Sequence, residues 1–177
     1  MRGWKPIIYF LILIPLFSKS QDKEKNNPEE FHRNQISFWV NHTHVPSGSS
    51  NGDKKWLVLA SLALDYNLWI NPKWAIGLHN DLVAEDFEVE HNQVILERNR
   101  PVTSVLAAVF KPGNHFVYVL GMGGEFSSTE SFFVSRLSIE YGHEFGKSWE
   151  VNAGLVYDIK WNGYNAWGGG IGISKLF

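Results

Sequence analysis

Trp149, Val151, Ala153, Leu155, Tyr157, Ile159 and Trp161 alternate without interruption with Glu150, Asn152, Gly154, Val156, Asp158 and Lys160. A period of two marks an extended strand with two unlike faces, because successive side chains of a strand point to opposite sides. One face here is apolar throughout and the other is mostly polar. The steps between the two tryptophans cover about 40 Å of extended chain, or roughly 30 Å along an axis tilted by about 40°, which is the depth of a bilayer's hydrocarbon core. An indole then stands at each edge of that core. A second alternating strand ends at Phe177.

The amino terminus is of another kind. Arg2 and Lys5 lead into the apolar run 7–17, followed by Ser18, Lys19 and Ser20. A charged start, a short apolar stretch and small residues after it read as an export signal over 1–20, cleaved before Gln21. The run is about half the length of a membrane-spanning helix, which needs roughly 20 apolar residues. No cysteine follows it, so a lipid anchor is excluded, and the chain has no cysteine at all. An exported chain of this kind holds itself together without disulfides.

Removing the signal changes the charge, since it takes three of the sixteen basic residues and none of the eighteen acids, leaving a net of −5. No basic patch survives, so nucleic acid is not an expected partner. Residues 21–35 are polar apart from Phe31 and read as a flexible lead-in. Residues 36–177 form one domain. With 44% hydrophobic and 15% aromatic residues the chain is not disordered, and no second long apolar run offers a helical span. The choice is between a soluble β-domain and a transmembrane barrel.

Eight segments of strand character follow, over 36–45, 55–67, 73–86, 100–110, 115–126, 131–144, 149–161 and 164–177. Compact turns at Asn71-Pro72, Lys111-Pro112-Gly113-Asn114 and Gly146-Lys147-Ser148 alternate with the polar stretches 46–55 and 86–99 and with shorter links at 127–130 and 162–163. With an even strand count and a periplasmic amino terminus, the compact turns fall at the periplasmic end and the longer loops outside.

A soluble barrel also alternates, with its apolar face inward, so the residues of the other face decide. Opposite Trp74, Ile76, Leu78 and Leu82 lie Ala75, Gly77, His79 and Asp81; opposite Phe116, Tyr118, Leu120 and Met122 lie Val117, Val119, Gly121 and Gly123. Small residues with a few charges suit the narrow interior of an eight-stranded barrel, whereas a watered surface would carry Lys, Glu and Thr. The expectation is an all-β, eight-stranded, antiparallel up-and-down transmembrane barrel.

Over 36–177 the chain resembles the small outer-membrane β-barrel proteins of Gram-negative bacteria. The most specific element is the carboxy-terminal strand from Trp167 through Ile171 and Ile173 to Phe177, which looks like the targeting signal of that class. The resemblance implies passage through the periplasm, recognition by the barrel assembly machinery, insertion into outer-membrane lipid and residence there. The fold itself hosts anchors, adhesins, enzymes and channels alike.

Glu125, Arg136, Glu140, Glu150, Asp158 and Lys160 are expected to face the lumen and pair across it, filling it rather than lining a wide pore. Trp149 and Trp161 are the expected aromatic girdle. His42 with His44 and His79 with Asp81 are two apart on strands and share a face, a pattern that suits zinc or another transition ion if the two pairs meet across the lumen. Polar rim or lumen residues are the simpler reading, and no metal or other cofactor is assigned. No G-x-S-x-G occurs, the last strand lacks histidine, and His143 lies at the periplasmic end, away from outer-leaflet lipid. No catalytic role is assigned. Residues 86–100 are the expected interaction surface, as a loop or as a hairpin prolonging the third and fourth strands, in either form protruding outside. The reading is a monomeric barrel with a structural or surface-interaction role. The alternatives are a narrow solute or ion channel, a lipid-modifying enzyme and a soluble ligand-binding barrel.

Overall fold

The computed structural model describes residues 31–50, 53–91 and 93–177. The signal at 1–20 and the lead-in up to residue 30 lie outside the described residues. Every element among them is a strand: β1 (Asn34–Ser50), β2 (Asp53–Asn71), β3 (Trp74–Val83), β4 (Asp86–His91), β5 (Val94–Asn99), β6 (Val102–Phe110), β7 (Phe116–Phe126), β8 (Phe132–Phe145), β9 (Trp149–Lys160) and β10 (Asn165–Leu176).

Eight of these close into a barrel. The wall runs β1, β2, β3, β6, β7, β8, β9, β10, each antiparallel to the next, and β10 pairs back onto β1 from Gln35↔Leu176 to His44↔Trp167. Asn34 and Phe177 extend that seam with backbone bonds of 3.0 and 2.9 Å in the two directions. Closure leaves the wall no bare edge, which is the condition for a sheet in lipid.

The facing follows the period-two pattern. Ile76, Leu78, Leu106, Leu120, Met122, Leu155 and Ile171 are among the outward side chains, and Ile171 is 68% exposed. Inward positions hold small or polar residues such as Ala75, Ser37, Ser138, Asn152 and Ser174. An apolar belt around a closed wall is unfavourable in water and favourable in hydrocarbon.

Two expectations change. The stretch 46–55, read as a polar loop from its Pro-Ser-Gly-Ser-Ser composition, continues as strand: β1 and β2 pair on through Gly48↔Lys55 after a register shift between Val45 and Gly48. Gly48 is required there, since a Cβ would meet Leu57 Cγ at 2.3 Å. Pairing within the ladder overrides local propensity. The strand also begins two residues earlier than expected, at Asn34.

The second change concerns 86–100. These residues do form a hairpin, but it does not simply protrude. The chain breaks from the wall at 84–85 and again at Arg100, which adopts φ 40°, and β4 pairs with the raised end of β1 at Gly48↔Val89 and Ser49↔Glu88. The inner face of the hairpin, Phe87, Val89 and Arg98, is buried. Its apolar members pack with Val45 of β1, Leu59 of β2, Val83 of β3, Phe132 of β8, Tyr164 just before β10 and Ala166 of β10. Those partners come from opposite sides of the wall, so the hairpin lies across the outer mouth.

Candidate functional site

The lumen is layered along the axis. At the end that carries the compact turns, the expected periplasmic end, Trp69, Ala75, Ala107, Val109, Val117 and Val119 form an apolar cluster from β2, β3, β6 and β7. A polar strap crosses beside it. Gln35 of β1 accepts from Trp69 Nε1 at 3.0 Å and donates to Glu150 of β9 at 3.1 Å, and Lys111 from the β6–β7 connection reaches Glu150 at 3.1 Å. Lys111 therefore bridges to the far wall and closes this end.

The middle is charged. Arg136 of β8 makes a fork with Asp158 of the neighbouring β9, 2.8 Å on each arm, and also pairs across the lumen with Asp81 of β3. Two parallel N–H to O bonds fix the guanidinium plane. His79 shares a hydrogen bond of 3.0 Å with Asn67 and lies 3.8 Å from Asp65. Between these groups, Glu140 and Trp39 is a cavity of about 40 Å³. It has room for about three water molecules and no larger solute. The wall behind it is bare backbone, because inward Gly154 and Gly170 carry no side chain.

The outer layer is organised by one carboxylate. Glu125 of β7 accepts from Arg98 of the hairpin at 2.6 Å and from the Tyr164 hydroxyl at 2.9 Å, and pairs with Lys160 of β9 at 3.2 Å. Arg98 also donates to the Glu130 carbonyl at 2.7 Å and stacks over Phe132 at 4.7 Å, while Lys160 stands over the Tyr164 ring at 4.6 Å. Arg98, Glu125, Lys160 and Tyr164 are all buried. Burial, and then the adjacent Glu125 carboxylate, push the Tyr164 phenol well above its ordinary pKa, so it remains a neutral donor.

Of the six residues expected in the lumen, Glu125 and Lys160 thus meet in the outer layer, Arg136 and Asp158 in the middle, and Glu150 in the inner strap. Glu140 is half-buried and lines the cavity. Of the partners that complete these groups, Asp81 was singled out in the sequence only as an inward-facing residue and metal candidate, and Asp65, Gln35 and Arg98 were given no role in the lumen. Asp65, Asp81, Gln35 and Lys111 lie on strands or turns away from the three strands that supplied the six. Arg98 was read only as part of the 86–100 interaction surface, loop or hairpin, though it shares the phase of Leu96 in a short alternating run.

The two metal candidates are kept apart by the wall. His42 and His44 lie on the outward face of β1, where His44 stacks on Trp167 at 3.9 Å and its Nδ1 accepts from Trp56 Nε1 at 3.3 Å. His79 and Asp81 lie on the inner side, so the pairs cannot share an ion across the lumen. Among the described residues no three His, Cys, Asp or Glu side chains group as a metal site. Trp149 and Trp161 face outward at opposite ends of β9, Lys175 Nζ lies 4.9 Å over the Trp149 ring, and Ile171, Ile173 and Phe177 are exposed on the same face. His143 is exposed at the periplasmic end with its ring 6.2 Å from that of His115, and no serine hydrogen bond to either is present among the described residues.

No family model and no curated protein matches the chain. Solved structures do. The attachment invasion locus protein Ail of Yersinia pestis, solved with the heparin analogue sucrose octasulfate, superposes with a TM-score of 0.58 at 14% identity, covering 84% of this chain and 100% of Ail. The outer membrane protein OprG of Pseudomonas aeruginosa gives 0.57 at 12% identity over 82% and 96% of the two chains. Neisserial surface protein A gives 0.51 at 9% identity over 81% and 97%. The fold is that of the small outer-membrane β-barrels. With its apolar belt and closed seam, this outer-membrane barrel spans the bilayer on eight strands, and a layered lumen beneath a hairpin-covered mouth makes up its candidate site.

Proposed function

We propose that the chain is a sealed outer-membrane barrel that acts through its outer surface, as a structural or surface-interaction protein, and neither conducts solutes nor catalyses a reaction. The observation that carries this reading is that the lumen is filled at both ends: Arg98 on the hairpin is tied to Glu125 on the wall at 2.6 Å, and Lys111 is tied to Glu150 at 3.1 Å at the other end. A channel would require both ties to open, and eight strands leave little more than side-chain room inside.

The outer end is acidic. Glu85, Asp86, Glu88, Glu97 and Glu130 stand against Lys55 and Arg100, and Arg100 is already engaged with Asp86 at 3.9 Å. A polyanion such as the heparin analogue seen on Ail does not suit this charge; a cationic partner does. The barrel acts as a monomer in this reading, with lipid as its solvent and the barrel assembly machinery as its partner in biogenesis.

Planar-bilayer recording on the purified, folded protein tests the reading. A flat baseline at neutral pH is expected; reproducible unitary steps would replace it with a narrow channel. An unchanged lipid A acylation pattern on deletion of the gene is the matching expectation for catalysis.

A further inference from the structure

We infer that the periplasmic end of the barrel is a binding ring for anionic phospholipid headgroups. The idea depends on the barrel standing in a bilayer and not on whether its lumen conducts. Cations stand along this end from the β8–β9 turn through β10 and β1 to the β2–β3 turn: Arg33 ahead of β1, Lys73 in the β2–β3 turn, Lys147 in the β8–β9 turn and Lys175 on β10. Arg33, Lys73 and Lys147 are exposed and form no ion pair among the described residues. Among those residues the acids at this end are Glu144 and Glu150, and both are engaged by Lys111, at 3.6 and 3.1 Å. Among the described side chains the ring is therefore left with a net positive charge.

The depth of the ring is fixed by its neighbours. Trp74, Phe116, Tyr141, Phe145 and Trp149 are exposed on the outward face at this end, where aromatic side chains mark the boundary between hydrocarbon and headgroups. Lys175 shows the direction. Its stem leaves the outward face of β10, its ammonium passes over the Trp149 ring at 4.9 Å, and it donates to Ser148 Oγ in the turn at 2.5 Å. That is the course of a lysine snorkelling out of hydrocarbon toward the headgroups. Lys73 and Lys147 sit in turns just beyond the same aromatic level.

The distribution selects the partner. These cations share one depth with the exposed aromatic side chains on four successive positions of the wall, which is the level at which a leaflet presents its headgroups to a barrel. Headgroups with a net negative charge gain from such a ring, and zwitterionic ones gain little.

Native mass spectrometry of the full folded chain, with phosphatidylglycerol or phosphatidylcholine added to neutral detergent, reads the difference. Phosphatidylglycerol should bind the more tightly, and each of R33Q, K73Q and K147Q should lower its affinity about fivefold, while R100Q at the outer end leaves it unchanged. Equal binding of the two lipids, or a triple variant that keeps the original affinity, would overturn the proposal. A heat-dependent gel shift verifies that each variant is folded, and the single variants carry the test if the triple does not fold. In cells, a photoreactive residue at position 147 should crosslink to lipid; a crosslink to a periplasmic protein instead would assign the ring to an acidic partner and sink the lipid reading.

Discussion

Glu125 receives three partners on one carboxylate, from the hairpin, from β9 and from the β9–β10 turn. Replacing it leaves Arg98 and Lys160 as buried cations with no counter-charge, so Glu125→Ala should cost about 3–5 kcal/mol. Tyr164→Phe removes a single hydrogen bond to a charged group and should cost about 1.5–3 kcal/mol. Urea unfolding of the refolded protein in micelles measures both, and equal losses in the two variants would refute the ranking. The phenol also sets a pH expectation. Its folded pKa lies above the ordinary value near 10, so its contribution is intact below about pH 10 and is lost only as pH rises through the higher folded value. Wild type and Tyr164→Phe should therefore differ by a constant stability from pH 7 to pH 9, which a series of urea melts would check.

The β4–β5 hairpin belongs to the outer mouth rather than to the wall. β3 pairs directly with β6 up to Leu82↔Val102, so replacing 86–99 by a two-residue turn should leave the eight-stranded ladder in place. The mouth would open. Thr103, buried beneath the hairpin, offers the readout: a cysteine at that position should react slowly with a charged maleimide in the intact protein and quickly in the shortened one. Similar rates in both would mean that the hairpin does not cover the lumen. The eight wall strands were legible in the sequence because lipid on one side and a narrow interior on the other impose a strict period of two, as on Trp149–Trp161. The hairpin's course was not legible. It depends on Arg98 meeting Glu125, a contact 27 residues apart that no periodicity records. An arginine among acids reads as solvated until its partner is located. The raised end of β1 was hidden for a related reason, since its glycine and serines read as a loop and become strand only through pairing with β2 and β4.

For the molecule as a whole, the sign of one substitution separates a barrel in lipid from a barrel in water. Ile171 lies midway along β10 and is exposed. Ile171→Arg should destabilise the lipid-inserted protein by about 2–4 kcal/mol, whereas on a watered surface the same change would be close to neutral. Folding yields into phosphatidylcholine vesicles, read by the heat-dependent gel shift, give the answer. The same experiment at Lys55, above the belt, should show no effect with glutamine in its place. Along the axis the exposed charge is polarised, acidic outside and basic at the periplasmic turns, so the two ends present unlike surfaces to their surroundings.

The seam between β1 and β10 joins Asn34 to Phe177, 143 positions apart along the chain. Neighbouring hairpins of the wall can zip locally, but this ladder cannot begin until nearly all of the polypeptide has arrived, and it brings the highest loop-closure entropy of any pairing in the molecule. Until it forms, both edge strands display unsatisfied amides and carbonyls to whatever surrounds them. The slow step of maturation is thus set at the join itself, and for that interval the half-made cylinder must be shielded from other copies of itself by something other than its own structure.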